Sequence, residues 1–120
     1  MPRPIPVFER GTVVRVPFPY TDRDTRHRRP ALVVSDGAIG AGASLLWVVM
    51  ITSAANRRWE DDVALTDGYG ACGLPVPSLI RAAKIAMIDS AAAETLGTLD
   101  SLRLSQVMAA IGRNLALAPE

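Results

Sequence analysis

LLWVVMIT, residues 45 to 52, is the run on which the fold turns. Its bulky apolar residues end at a polar Thr52-Ser53 pair, which reads as a strand in the core of a sheet. The run Leu45 to Ile51 is far shorter than the ~20 residues a membrane-crossing helix needs, so no such span is expected. Upstream, Pro30 to Ser35 (PALVVS) reads as a buried strand, with three glycines between Asp36 and Ser44 supplying the turn. Before it, TVVRVPF within Gly11 to Phe18 is β-branched and aromatic, and Pro17 places its end at a sheet edge or bulge. Downstream, Asp62 to Thr66, Ser78 to Arg81 and Lys84 to Ile88 read as short strands, and DGYGACGLPVP (67 to 77) as a loop. Trp47, in mid-strand, is expected in the core.

From Asp100 the period changes. Leu104, Val107, Met108, Ile111 and Leu115 recur at the spacing of one helical face. Asp100 suits the N-cap, accepting from first-turn amides, while Arg103 stands where a full capping box needs Glu or Gln. Short strands followed by one helix predict a mainly β fold with a C-terminal α-helix, built as a strongly bent sheet or small barrel.

The 120 residues suit a single domain, with 49% apolar and 21% charged residues, which argues against global disorder. Residues 1–8, with prolines at 2, 4 and 6, read as a flexible tail, and 9–117 as the domain. The prolines and charges of MPRPIPVFER leave no apolar stretch for a secretory signal, so a cytoplasmic location is expected. The lone cysteine, Cys72, fits a reducing compartment and reads as a passive thiol. The net charge is only +1, but its distribution is uneven. RDTRHRR (23 to 29) concentrates Arg23, Arg26, Arg28 and Arg29 in a polar, aperiodic segment running from Pro19 to Arg29, whereas Glu60, Asp61 and Asp62 form an acidic run. A long basic loop on a rigid scaffold points to an anionic ligand.

Several of these segments, taken in order, resemble the MazF/PemK toxins. They are RGTVVRVPFPYTD (10 to 22), RRPALVVSD (28 to 36), VVMITS (48 to 53), LPVPSLIRAAKI (74 to 85) and LGTLDSLRLSQVMAAIGRNL (96 to 115). Each motif alone is weak, but five in sequence are specific. The resemblance implies an SH3-like, partly closed β-barrel of the MazF/PemK/CcdB type and a homodimer that cleaves single-stranded RNA at short sequences. It also implies a cognate antitoxin whose disordered tail occupies the RNA groove. In that family the arginine before the proline of the second strand and the threonine closing the third are the usual catalytic pair, which here are Arg29 and Thr52. A further functional arginine of the family falls on Arg81. Where some relatives carry an aspartate two residues later this chain has Ala83, which shifts the work toward electrostatics from Arg29 and Arg81.

The chemistry is within reach of these residue types. RNA carries its own nucleophile in the 2′-hydroxyl, so the protein must align the attack, stabilise charge on the phosphoryl oxygens and manage two protons. Neither a metal nor another cofactor is expected: one histidine and one cysteine offer no ligand spacing. A guanidinium presents a rigid, permanently charged fork to phosphate, which suits Arg29 to transition-state stabilisation and makes it a poor general base. Thr52 and Ser53 are hydroxyl donors for a phosphoryl oxygen or for placing the 2′-hydroxyl. Arg23, Arg26, His27 and Arg28 are expected to hold and position RNA, and Trp59, flanked by charges, to stack on a base or join a dimer contact. His27 is the one residue type here whose ordinary pKa lies near neutrality.

Two other readings compete. A non-catalytic toxin of the same fold that binds DNA gyrase would need neither the arginine–threonine pair nor the basic loop. A peptide-binding SH3-like module would want an aromatic-lined groove, and two Trp, two Tyr and two Phe supply it poorly.

Overall fold

The computed structural model describes residues 8–17 and 28–117. Six strands, β1 (Thr12–Val16), β2 (Arg29–Val33), β3 (Leu45–Ser53), β4 (Asp62–Leu65), β5 (Ser78–Asp89) and β6 (Glu94–Thr98), precede one helix, α1 (Ser101–Asn114). The strands form one antiparallel sheet in the order β4-β5-β3-β2-β1-β6, curled into a half-barrel. The mainly β architecture with a C-terminal helix is the one expected.

A central strand of the sheet is β3, which carries the run LLWVVMIT. β3 lies between β2 and β5 and is covered on both faces, which is why the sequence there is apolar without alternation. On one side Leu46, Val48 and Met50 pack with Phe8, Val14, Val16 and Ile88; on the other, Val49 and Ile51 join Val13, Leu32, Leu65 and Ile80 beneath the helix residues Val107, Ala110 and Ile111. Phe8, the last residue of the stretch read as a tail, is buried in this core. Trp47 departs from expectation: it is 50% exposed, directly opposite Met87 of β5, itself 58% exposed. The covering elements end short of this part of the β3–β5 surface.

The two short strands expected at 78–81 and 84–88 are one. The register against β3 jumps from Val49 opposite Ile85 to Met50 opposite Arg81, leaving Ala82, Ala83 and Lys84 without partners there. Such a bulge bends the strand and sharpens the twist that curls the sheet. β6 was not foreseen as a strand; ETLGT lacks the β-branched density of the others and pairs with β1 across a register shift at Val13/Val14. A short turn, Gly70–Cys72, packs on β6, and the approach is so close that a Cβ on Gly97 would sit 2.6 Å from the Cys72 carbonyl carbon. At that seam glycine is required sterically.

Asp100 caps α1 as expected, its Oδ2 accepting from the Arg103 amide at 3.0 Å. The hydrogen bonds from the Arg103 amide and guanidinium hold the Asp100 carboxyl below its ordinary pKa. Leu104 and Met108 flank the buried Val107 and Ile111, whereas Leu115, past the last turn, is exposed. Among the described residues no helix is long and apolar enough to cross a membrane.

Candidate nucleic-acid interface

A groove of about 350 Å³ opens where the start of β2 meets the end of β3. Arg15 from β1 and the consecutive Arg28 and Arg29 line it, together with the hydroxyl- and amide-bearing Thr52, Ser53, Asn56 and Ser78. Gly73 to Val76 complete its wall, and no carboxylate lies among the described residues that line it. This combination of charge and donors favours an anion with several oxygens.

Local structure explains the placement. Arg29 opens β2 opposite Val16 and is exposed; the Pro30 that follows lies opposite Arg15. Arg28 is tied to the scaffold, its Nη2 donating to the Ala92 carbonyl and, at 3.4 Å, to that of Arg15. Thr52 and Ser53 end β3 as it leaves the covered sheet, and both are half-buried. The Thr52 Oγ1 accepts from Asn56 Nδ2 at 2.8 Å, and the Ser53 Oγ accepts from the Ala55 amide at 3.1 Å. Each hydroxyl therefore still has a proton to donate.

Arg81, expected to touch a phosphate, lies elsewhere. It is 6% exposed and is not among the residues lining the groove. Directly across the β4–β5 ladder from Asp62, it approaches that carboxylate at 3.6 Å, and its Nη2 donates to the Arg57 carbonyl at 2.8 Å. Trp59 closes over it, the guanidinium carbon 4.1 Å from the ring centroid. One face of this indole is thus taken by a cation, which accounts for an exposed tryptophan without invoking a base. Asp62 Oδ2 in turn accepts from the Trp59 amide at 2.8 Å. Arg81 and Trp59 are thus not among the residues lining the groove of Arg29 and Thr52; they meet in a clasp in which Trp59, exposed in the loop between β3 and β4, covers the buried Arg81.

Arg23, Arg26 and His27 lie outside the described residues. Ala83 is exposed in the β5 bulge. Cys72 is buried, and burial above all, reinforced by the Asp100 charge and opposed by Arg103, pushes its thiol up from the ordinary value. That suppresses the thiolate, as the passive reading requires. Among the described residues no three His, Cys, Asp or Glu side chains gather as a metal site. Sequence reading missed three contributors. Arg15 left a signal, a lone charge inside TVVRV; Asn56 and Ser78 left none.

Comparison with known proteins agrees with this fold. The family model for the PemK-like, MazF-like toxin of type II toxin-antitoxin systems matches residues 9–115. No curated protein matches significantly. Among solved structures, a MazE–MazF complex from Deinococcus radiodurans is similar at 24% identity and a TM-score of 0.74, covering 95% of this chain and 100% of that one. An endoribonuclease in complex with its cognate antitoxin, from a mycobacterial species, gives 19% identity and a TM-score of 0.68 over 93% of this chain and 96% of that one. The Mycobacterium tuberculosis toxin MazF-mt6 gives 17% and 0.65 over 90% of this chain and 99% of that one. At these identities the solved structures speak to fold, and the family match over nearly the whole chain decides membership: this protein belongs to the PemK-like, MazF-like toxin family of type II toxin-antitoxin systems.

Proposed function

We propose that the protein is a metal-independent, sequence-selective endoribonuclease that cuts single-stranded RNA, including mRNA, in the groove between Arg29 and Thr52. The observation that carries the reading is that Arg15, Arg28 and Arg29 line one groove with Thr52 and Ser53, with no carboxylate among its described lining residues. The scissile phosphate rests against the Arg29 guanidinium, with Thr52 donating to a phosphoryl oxygen. The 2′-oxygen of the preceding ribose forms a bond to phosphorus and the bond to the 5′-oxygen breaks. The 2′-hydroxyl gives up its proton and the leaving 5′-oxygen gains one, so the products are a 2′,3′-cyclic phosphate and a 5′-hydroxyl. Arg29 meets the charge that develops on the phosphoryl oxygens. Arg28, with Arg23, Arg26 and His27, holds the strand, and Arg15 adds a phosphate contact. Arg81, the further functional arginine that the resemblance implies, is the second catalytic arginine of this reading, and it also ties down the β3–β4 loop through the Arg57 carbonyl.

The same reading includes a homodimer acting in the cytoplasm and a cognate antitoxin whose disordered tail competes for the groove. The exposed Trp47 and Met87 offer an apolar face for a second copy. That similar folds have been solved with MazE, and with a cognate antitoxin, supports the antitoxin part. The test is incubation of a mixed-sequence single-stranded RNA in EDTA with the parent chain and with Arg29→Ala. The parent is expected to cut, and the variant, still folded, to lose about 10²–10³-fold in rate, the loss typical of removing one transition-state donor. Intact RNA with the parent chain, together with inhibition of DNA gyrase, would replace this reading with the gyrase-binding one.

A further inference from the structure

We propose that Asn56 is a positioning residue for the Thr52 hydroxyl. This rests on the reading of Thr52 as a donor to the scissile phosphate. A threonine hydroxyl can point its proton into any of three staggered positions, and only one of them serves a phosphate in the groove. The Asn56 amide donates to Thr52 Oγ1 at 2.8 Å, which occupies the acceptor side of the oxygen. Two donors do not face each other, so the Thr52 proton is turned away from Asn56. Asn56 lines the same groove as Arg29, and the proton is left for a group bound there.

The side chain can do this because its loop is held at several points. The Asn56 backbone N–H donates to the Ser53 carbonyl at 3.0 Å, and the Ala54 backbone N–H to that of Pro77 at 2.9 Å. One residue on, the Arg57 carbonyl accepts from Arg81 at 2.8 Å, and Arg81 is in turn packed under Trp59 and paired with Asp62. The buried clasp and the loop it pins are what hold Asn56 at the required spot. A group fixed in advance loses less on reaching the transition state than one that must be ordered during the reaction.

The experiment is a double-mutant cycle on the full chain, read by cleavage of a single-stranded RNA that the parent cuts. Asn56→Ala is expected to lower kcat about fivefold, the size of one neutral hydrogen bond, with KM and the melting temperature near parental. In a Thr52→Val background the same change is expected to do nothing further, because the hydroxyl it orients is gone. Independently of cleavage, the Asn56 side-chain amide resonances are expected to shift on Thr52→Val. Parental kcat in Asn56→Ala, equal losses in both backgrounds, or unmoved amide resonances would overturn this role alone. RNA left whole by the parent chain, with the amide shift present, would overturn the nuclease reading and the role with it.

Discussion

Replacing Asp62 by alanine tests the clasp that holds the β3–β4 loop. The Asp62 and Arg81 side chains are 1% and 7% exposed, so each was taken out of water in forming the pair. Asp62→Ala leaves the Arg81 charge buried with the Arg57 carbonyl as its hydrogen-bond acceptor, and strips the Trp59 amide of its own acceptor. Breaking a buried pair in this way costs about 3–5 kcal/mol. The separation of 3.6 Å is loose, and both Asp62 Oδ1 and Arg81 Nη1 already lack a hydrogen bond. Trp59 also keeps part of its hold on the cation, so the lower end applies, about 3 kcal/mol. At roughly 4 °C per kcal/mol for a domain of this size, the melting temperature should fall by about 12 °C. Asp62→Leu combined with Arg81→Met removes both charges and should recover stability to within about 1 kcal/mol of the parent, since apolar replacement of a buried pair is often neutral. Thermal melts monitored by circular dichroism, with urea midpoints as a second measure, decide it. An Asp62→Ala protein melting within about 3 °C of the parent would show that the pair does not hold the loop, as would a double variant no more stable than the single one.

Because the folded-state pKa of Asp100 is lowered, its contribution is present above its ordinary pKa and is lost as pH falls through the folded value. Asp100→Ala should therefore cost about 1 kcal/mol at pH 7, with parent and variant converging below about pH 4; a gap independent of pH in urea titrations would contradict the capping account. At the seam, Gly97→Ala drives a methyl into the Cys72 backbone and should destabilise by about 1–3 kcal/mol. The same change at Gly112, in α1 with nothing within 4 Å, should stabilise by about 0.5–1 kcal/mol, and melts that rank the two the other way would sink the steric argument.

β1 to β4 were legible because their apolar runs are, and α1 because its cap and period agree; β6 was not, since ETLGT has no such run. Phase was not legible in β3: where both faces are covered alternation vanishes, and nothing in LLWVVMITS shows that Trp47 lies beyond the cover while Val48 and Val49 do not. The β5 bulge hid for a related reason, since Ala82-Ala83-Lys84 interrupts an apolar pattern as a turn would. In the site, Arg29 and Thr52 were reached through ordered motifs and do meet at one groove. The surroundings of Arg81 were not legible because its partner is far off in sequence: only the β4–β5 register brings Asp62 opposite it, and an arginine at a strand position looks the same whether it faces phosphate or a buried carboxylate. Asn56 was invisible because its value lies in one hydrogen bond set by a turn.

In the proposed reaction RNA supplies the nucleophile and the protein supplies position and charge. The most direct measurement is the end chemistry of the products formed in EDTA, repeated on an RNA carrying a single 2′-deoxy nucleotide on the 5′ side of the cut. A 2′,3′-cyclic phosphate with a free 5′-hydroxyl, and no cleavage at the deoxy position, is the predicted result. Products with a 5′-phosphate and a 3′-hydroxyl, or undiminished cleavage at the deoxy position, would mean that water attacks instead, and would contradict the account.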